Sequence, residues 1–379
     1  MDIPRSIRLL ASVLFLAPTF FYVLRFPLPN YSLGQDLVIL EAVGLTLLAL
    51  VYNRYIKDYD KFIGVLVIVV LLAHTIISAI YLEYTLTVQI VVKTLRFTLY
   101  ILSTYVFAQL FYERELFKRV FTLFFYISLF PFVFYYFNDR FFSVEEYYTN
   151  RFCGLWSEPS ALGPFLTVFL IRSFLYRRIF ILMLLMLVWF KTDSGSAYVI
   201  LFVTALGAFG KHSFVLIKKL PIVLLMCFVG VFLFRNLDIS RVSAFKKITD
   251  VFVYTDLSKG VAGQSRIQTL LNSINIMVRE KALFIGYGTN TWETITNRRQ
   301  DLRIFNLVHM LFISYGFWSF GMIGLIISRA RKVLPLLSEF ESLLCLSFLT
   351  SAFINSAQGA LLWKVGLLFL FIRYNREDL

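Results

Sequence analysis

Long apolar runs, one after another along nearly the whole chain, constrain this sequence more than any motif does. Runs of about 20 apolar residues match the thickness of a bilayer core when coiled as helix. They recur near 8–25, 37–52, 62–82, 87–112, 119–138, 161–176, 178–191, 195–210, 217–234, 305–327, 333–355 and 359–373. With 59% hydrophobic residues, a soluble domain of this length could not hide its apolar side chains. The expectation is one all-α polytopic membrane domain over 1–379, with about twelve transmembrane helices.

Charge supplies the orientation. The formal balance is +14, yet the cations are dispersed at the ends of apolar runs rather than gathered on one basic face, which argues against nucleic acid as a partner. One alternate set of ends carries Arg5 and Arg8; Arg54, Lys57 and Lys61; Arg114, Lys118 and Arg119; Arg172, Arg177 and Arg178; Lys211, Lys218 and Lys219; Arg329, Arg331 and Lys332; and Arg373 and Arg376. Short loops of the other set hold few cations. Because Lys and Arg resist translocation, both termini are expected in the cytoplasm. The segments 139–160 and 235–304 then become outer loops.

Those two loops break the charge rule that places them. The longer one contains Arg235, Arg241, Lys246, Lys247, Lys259, Arg266, Arg279, Lys281, Arg298, Arg299 and Arg303, well in excess of its carboxylates. Short connections suffice to join neighbouring helices, so a long cationic loop points to an anionic ligand. Cys153, Cys227 and Cys345 are too few and too scattered for a zinc site or a disulfide framework. No metal site is apparent on the outer side, where Glu145 and Glu146 are adjacent and no Asp-x-Asp occurs. No cofactor is expected.

Three stretches carry candidate chemistry. In Arg151-Phe-Cys-Gly-Leu-Trp-Ser-Glu-Pro-Ser160, Ser157 or Ser160 suits a helix cap and Pro159 a first helical turn. Arg151 and Glu158 then bring a cation and a carboxylate to a helix start, which itself favours anions. Next, Gly263-Gln-Ser-Arg266 precedes apolar residues at helical spacing, so an amphipathic helix is expected over 267–283, capped by Ser265, with Arg266 in its first turn. Gly286 and Gly288 in Phe284-Ile-Gly-Tyr-Gly288 permit a tight turn, or a backbone pressed closely against a ligand. Finally, Phe305-Asn306-Leu-Val-His309 opens a late span; the histidine is either a packed interfacial residue or a group for proton transfer near neutral pH. Within spans, Lys93 and Arg96 are placed to hold an anion or to snorkel. Glu41 and His74 are read as packing or polar contacts, and Phe124, Phe125, Tyr126, Tyr135 and Tyr136 as the lining of a lateral opening for lipid. No internal repeat is visible, nor are spans interrupted by Gly or Pro at matching positions, which weighs against a transporter.

Together, Arg151-x-x-Gly154-x-x-x-Glu158-Pro-Ser160, Ser265-Arg266, Gly286-Tyr-Gly288 and Asn306 ahead of Tyr315-Gly316 resemble the Wzy-type polymerases of O-antigen and exopolysaccharide, in the superfamily that includes O-antigen ligases. At motif level the resemblance covers about 151–163 and 263–324; elsewhere it is one of topology. The ligase branch shows His-Asn where this chain has Phe305-Asn306, with His309 four residues beyond Phe305, which favours polymerase over ligase.

The resemblance implies a GT-C-like fold with a large outer loop in the bacterial inner membrane. It implies inverting, metal-independent glycosyl transfer from a glycan on undecaprenyl diphosphate to a lipid-linked repeat unit. Arg151 and Arg266 would hold the departing diphosphate, with Arg298, Arg299, Lys93 and Arg96 behind them. Glu158 or His309 would take the acceptor's proton, and Gly286, Gly288 and Asn306 would serve turn and positioning. Expected partners are lipid-linked oligosaccharides, membrane lipid, a flippase and a chain-length regulator. The alternatives are a ligase acting on a lipid A core and a lipid-linked oligosaccharide flippase or other transporter.

Overall fold

The computed structural model describes residues 3–21, 33–52, 54, 56–133, 159–192, 195–211, 263–289, 307–354 and 360–372. Among them are helices and no strand. In chain order they are α1 (Arg5–Phe21), α2 (Leu33–Val51), α3 (Asp58–Tyr81), α4 (Val88–Val106, continued by a π-turn Phe107–Phe111), α5 (Arg114–Leu129), α6 (Pro159–Leu175), α7 (Ile179–Thr192), α8 (Gly195–Lys211), α9 (Gly263–Arg279), α10 (Leu307–Tyr315), α11 (Trp318–Val333), α12 (Glu339–Ile354) and α13 (Ala360–Phe371). Asp58–Tyr81, Val88–Phe111 and Arg114–Val133 are long and apolar enough to cross a membrane. The expected span at 217–234 and most of both expected outer loops lie outside the described residues.

The packing follows the rules of lipid rather than of water. Helix α3 buries Thr75, Ser78 and Ala79 and exposes Phe62, Val65, Val69, Ile76 and Ile80. Helix α4 likewise buries Thr94, Thr98, Ser103 and Thr104 while Val88, Val92 and Leu99 face outward. Small and hydroxylated residues let helices approach when apolar association gives no advantage. The same logic brings Gly163 of α6 against Ala197 of α8. The interior is otherwise aromatic: Phe121 contacts Phe117, Phe165, Phe169, Phe340 and Phe348, joining α5, α6 and α12. Phe124 and Phe125 belong to this core, against Phe20 and stacked on Phe169 at 3.9 Å, so they do not line a lateral opening. Tyr126 is exposed; Tyr135 and Tyr136 lie outside the described residues.

Local chemistry sets the helix ends. At α12, Ser338 and Glu341 form a reciprocal capping box: the Ser338 amide donates to Glu341 Oε2 (2.8 Å) and the Glu341 amide to Ser338 Oγ (3.4 Å). Among the described residues, three helices close on a left-handed residue that is not glycine, Glu83 after α3, Arg177 after α6 and Lys281 after α9. Each has paired bonds back to the last turn, as in Lys281 N–H to the Val278 carbonyl and Ala282 N–H to the Met277 carbonyl.

Polar contacts gather one end of the bundle. Arg5 and Arg8 meet Glu113 (3.6 and 3.7 Å), Arg114 and Tyr112 meet the buried Glu341, and Tyr176 meets Glu339. Arg329 donates to the carbonyls of Leu370 in α13 and Ile372 just beyond it, and Gln109 to that of Phe371. Residues assigned to one side by charge alone are thus neighbours in space.

Two further expectations are corrected. The span expected at 305–327 is broken, with α10 ending at Tyr315 and α11 starting at Trp318. The amphipathic helix begins at Gly263, not Ile267, so Ser265 lies inside it rather than capping it, and it ends at Arg279 because Lys281 turns left-handed.

Candidate functional site

The break in the late span and the Gly-Tyr-Gly turn explain each other. Helices α9 and α10 run in the same direction: His309 Nε2 is 2.9 Å from Ser273 Oγ, and one turn on, Met277 packs with Phe312 and Ile313. The chain then turns at 280–289 against the end of α10. Tyr287 and Gly288 donate their amides to the carbonyls of Ile313 and Ser314 (3.0 and 3.1 Å), and Phe317 donates to the Leu283 carbonyl (3.1 Å). Carbonyls left without a partner by the break at Gly316 are therefore satisfied by a different segment, as buried backbone in a membrane requires.

Glycine is needed on both sides of this contact. Gly286, Gly288 and Gly316 have φ of +77°, +97° and +56°. A Cβ at Gly286 would meet the Ser314 backbone, and one at Gly316 the Leu283 and Phe284 backbone. The close approach foreseen for a ligand is made here by the chain's own α10.

Helices α3 and α4 complete the node. The Thr289 amide donates to Thr75 Oγ1 (3.2 Å), its hydroxyl to the Leu71 carbonyl (3.3 Å), and its carbonyl accepts from Thr94 Oγ1 (3.3 Å). Tyr315 donates to Thr289 Oγ1 (3.2 Å), and Tyr84 to the Tyr287 carbonyl (3.0 Å). His74 Nε2 lies 2.9 Å from the Ile285 carbonyl, with its ring beside Tyr315. A carbonyl only accepts, so that nitrogen carries the proton. Thr75 is six residues before the end of α3 and Thr94 six residues after the start of α4, roughly 9 Å inside the helix ends at 1.5 Å per residue. The turn is held well within the bundle.

The candidate residues divide as follows. Gly286, Gly288 and His309 come together on α10; His309 is 1% exposed and enclosed by α9. Arg266 is in the first turn of α9. Lys93, half-buried, precedes Thr94 of the node, whereas Arg96 faces outward. Arg151, Glu158, Arg298, Arg299 and Asn306 lie outside the described residues. Thr75, Thr94, Thr289 and Tyr84 were not foreseen; hydroxyls spaced along α3 and α4 were the only signal for Thr75 and Thr94, while Tyr315 was seen only as part of the Tyr-Gly motif.

Deeper in the bundle, Lys364 of α13 was also not foreseen. Its ammonium lies 2.6 Å from Glu41 Oε2 and 2.6 Å from the Phe15 carbonyl, over the Phe15 ring. Ser103 supports the other carboxylate oxygen (3.4 Å). Pro18 in α1 has no amide to donate to the Leu14 carbonyl, which loosens the turn next to Phe15. Glu41 and His74 thus make polar contacts, as read from sequence.

Among the described residues no three of His, Cys, Asp or Glu gather into a metal-binding group. No protein-family model matches the chain, and no curated protein matches it.

Proposed function

We propose that the chain is a polysaccharide polymerase that extends a glycan on undecaprenyl diphosphate at the outer face of the bacterial inner membrane. One observation supports this above others: α9, from the cationic segment, is locked into the bundle by the 283–289 turn rather than trailing from it. An arginine that must neutralise a leaving group needs such a fixed mount, because preorganised charge acts without reorganisation. In this reading the node marks the outer end, both termini are cytoplasmic, and about twelve spans carry the 139–160 and 235–304 loops outside.

The reaction is a single displacement. The acceptor hydroxyl oxygen attacks C1 of the donor's linking sugar, the C1–O bond to diphosphate breaks, and the anomeric centre inverts. Charge developing on the diphosphate falls to Arg151 and Arg266, backed by Arg298 and Arg299, whose planar forks suit phosphate oxygens. The acceptor's proton goes to Glu158. Enclosure of His309 against Ser273 favours Glu158 as base and gives His309 the work of holding α9. Gly286, Gly288 and Asn306 position the loop.

The rival reading is a lipid-linked oligosaccharide transporter. It is favoured by the interrupted α10–α11 pair, since broken helices mark many transport sites. Purified protein with a lipid-linked repeat unit separates the two. Arg151→Ala or Arg266→Ala should lower chain extension by about a hundredfold or more while insertion is unchanged. Polymer at wild-type rate from both variants would end the clamp hypothesis. Cells lacking the protein should retain cores bearing one repeat unit; bare cores would indicate a ligase.

A further inference from the structure

Helix α3 is long enough to set a level in the bilayer. Its 24 residues rise about 36 Å, a full crossing of a hydrocarbon core of roughly 30 Å, so its last turn and Glu83 just beyond it reach a headgroup region. Leu82 packs on the cluster of Met277, Ala282, Tyr287, Phe312 and Ile313, and Tyr84 donates to the Tyr287 carbonyl. The end of α9 therefore stands at the level of Glu83.

That end carries Arg279, Glu280 and Lys281. Arg279, Lys281 and Glu83 are exposed, and none of the three makes an ion pair with a described residue. The Glu280 carboxylate accepts from the Tyr287 hydroxyl (2.6 Å), which fixes it on the same rim. Two cations and two carboxylates balance there. Just beside them, the Phe317 amide donates to the Leu283 carbonyl and brings Phe284 and Trp318 edge to face at 6.0 Å. Trp318 opens α11, which runs on to the basic end at Arg331 and Lys332, so this pair lies on the hydrocarbon side of the rim. Phe284 and Trp318 are 57% and 60% exposed. A charge-neutral rim above an exposed aromatic step is the complement of a zwitterionic lipid: an anionic headgroup would meet repulsion from Glu83 and Glu280.

We propose that this rim binds the headgroup of phosphatidylethanolamine. The phosphate lies on Arg279 and Lys281, the primary ammonium donates to Glu83, and an acyl chain follows Phe284 and Trp318. An ammonium carries N–H donors that a quaternary choline lacks, so charge-assisted hydrogen bonds to Glu83 select ethanolamine over choline. The bound headgroup ties the end of α9 to the connection between α3 and α4. The lipid thereby becomes part of the mount that holds α9.

The test uses the full chain in nanodiscs containing equal amounts of phosphatidylethanolamine, phosphatidylcholine and phosphatidylglycerol, with lipid retained on the released protein counted by native mass spectrometry. Wild type should retain phosphatidylethanolamine about tenfold over either competitor. Glu83→Gln should lose the preference over phosphatidylcholine, and Arg279→Gln combined with Lys281→Gln should lower retention of phosphatidylethanolamine about tenfold. Glu83 and Arg279 are exposed, so their variants should keep the wild-type melting midpoint. Amide exchange over 273–283 should also be slower in phosphatidylethanolamine than in phosphatidylcholine nanodiscs for wild type, and equal in the two for Glu83→Gln. Equal retention of the three lipids by wild type, or a preference that survives in Glu83→Gln, would overturn the site and leave these side chains as ordinary interfacial anchors. A preference for phosphatidylglycerol would overturn it as well. None of these readouts needs chain extension, so loss of the polymerase reading would leave the site standing, and loss of the site would leave that reading as it was.

Discussion

Gly286 is pressed against the Ser314–Tyr315 backbone and Gly316 against the Leu283–Phe284 backbone, each in a place with no room for a Cβ. Either residue changed to alanine forces a side chain into left-handed backbone, at about 1–2 kcal/mol, before any clash with a neighbouring carbonyl. Gly286→Ala and Gly316→Ala should therefore both lower the melting midpoint in detergent and abolish function. Gly321, in α11 with nothing within 4 Å of its Cβ position, is the control. Gly321→Ala should be neutral, or stabilising by up to about 1 kcal/mol from helix propensity. The Lys364–Glu41 pair obeys a different arithmetic. Both groups are 1% exposed, and removal of one leaves an unpaired charge among phenylalanines. Lys364→Met or Glu41→Leu alone should cost about 3–5 kcal/mol, whereas the double variant should recover most of that. Equal losses in all three, read as thermal midpoints, would mean that the two charges are not coupled.

At the scale of elements, helix α9 shows what periodicity can and cannot convey. That a helix lies here was legible from apolar spacing, but its buried face was not: Ser273 and Met277 are buried while Leu270, Leu271 and Val278 are exposed. Nor was its end, because a lysine at φ +59° closes it in place of the glycine that would have announced the stop. Lys281→Gly should raise stability by about 1 kcal/mol, since glycine adopts that backbone without a steric penalty. A lower melting midpoint would show that the lysine side chain contributes more than its backbone strain removes. The break between α10 and α11 was equally hidden, because Tyr315-Gly316-Phe317 interrupts no apolar run. It exists through tertiary contact: the last carbonyls of α10 are taken by Tyr287 and Gly288, some thirty residues earlier. The glycines were visible, but not the backbone segments against which each is pressed. His309 was visible too, yet its enclosure by Ser273 depends on α9 and α10 lying side by side, which one-dimensional spacing does not encode. His309→Ala should loosen α9, seen as faster amide exchange over 273–283, with exchange in α12 unchanged.

Across the whole molecule, two independent signals converge on one polarity. Cations that the charge rule assigns to a single side, Arg5, Arg8, Arg114 and Arg329, join in one contact network with Glu113, Glu341 and the end of α13. The node of Thr75, Thr94 and Thr289 lies toward the other ends of α3 and α4. A diphosphate clamp carried by α9 can act on an externally delivered glycan only if that second end faces outward. Arg331 and Lys281 are exposed and belong to the two opposite ends, so they report on it directly. In a background with Cys153, Cys227 and Cys345 changed to alanine, a membrane-impermeant maleimide applied to intact inner-membrane spheroplasts should label Lys281→Cys and not Arg331→Cys. Disruption of the membrane should then expose Arg331→Cys. Labelling of Arg331→Cys alone in intact spheroplasts would turn the bundle over and put the cationic loop in the cytoplasm. There the positive-inside rule would account for its charge without any ligand, and the polymerase reading would lose its main support.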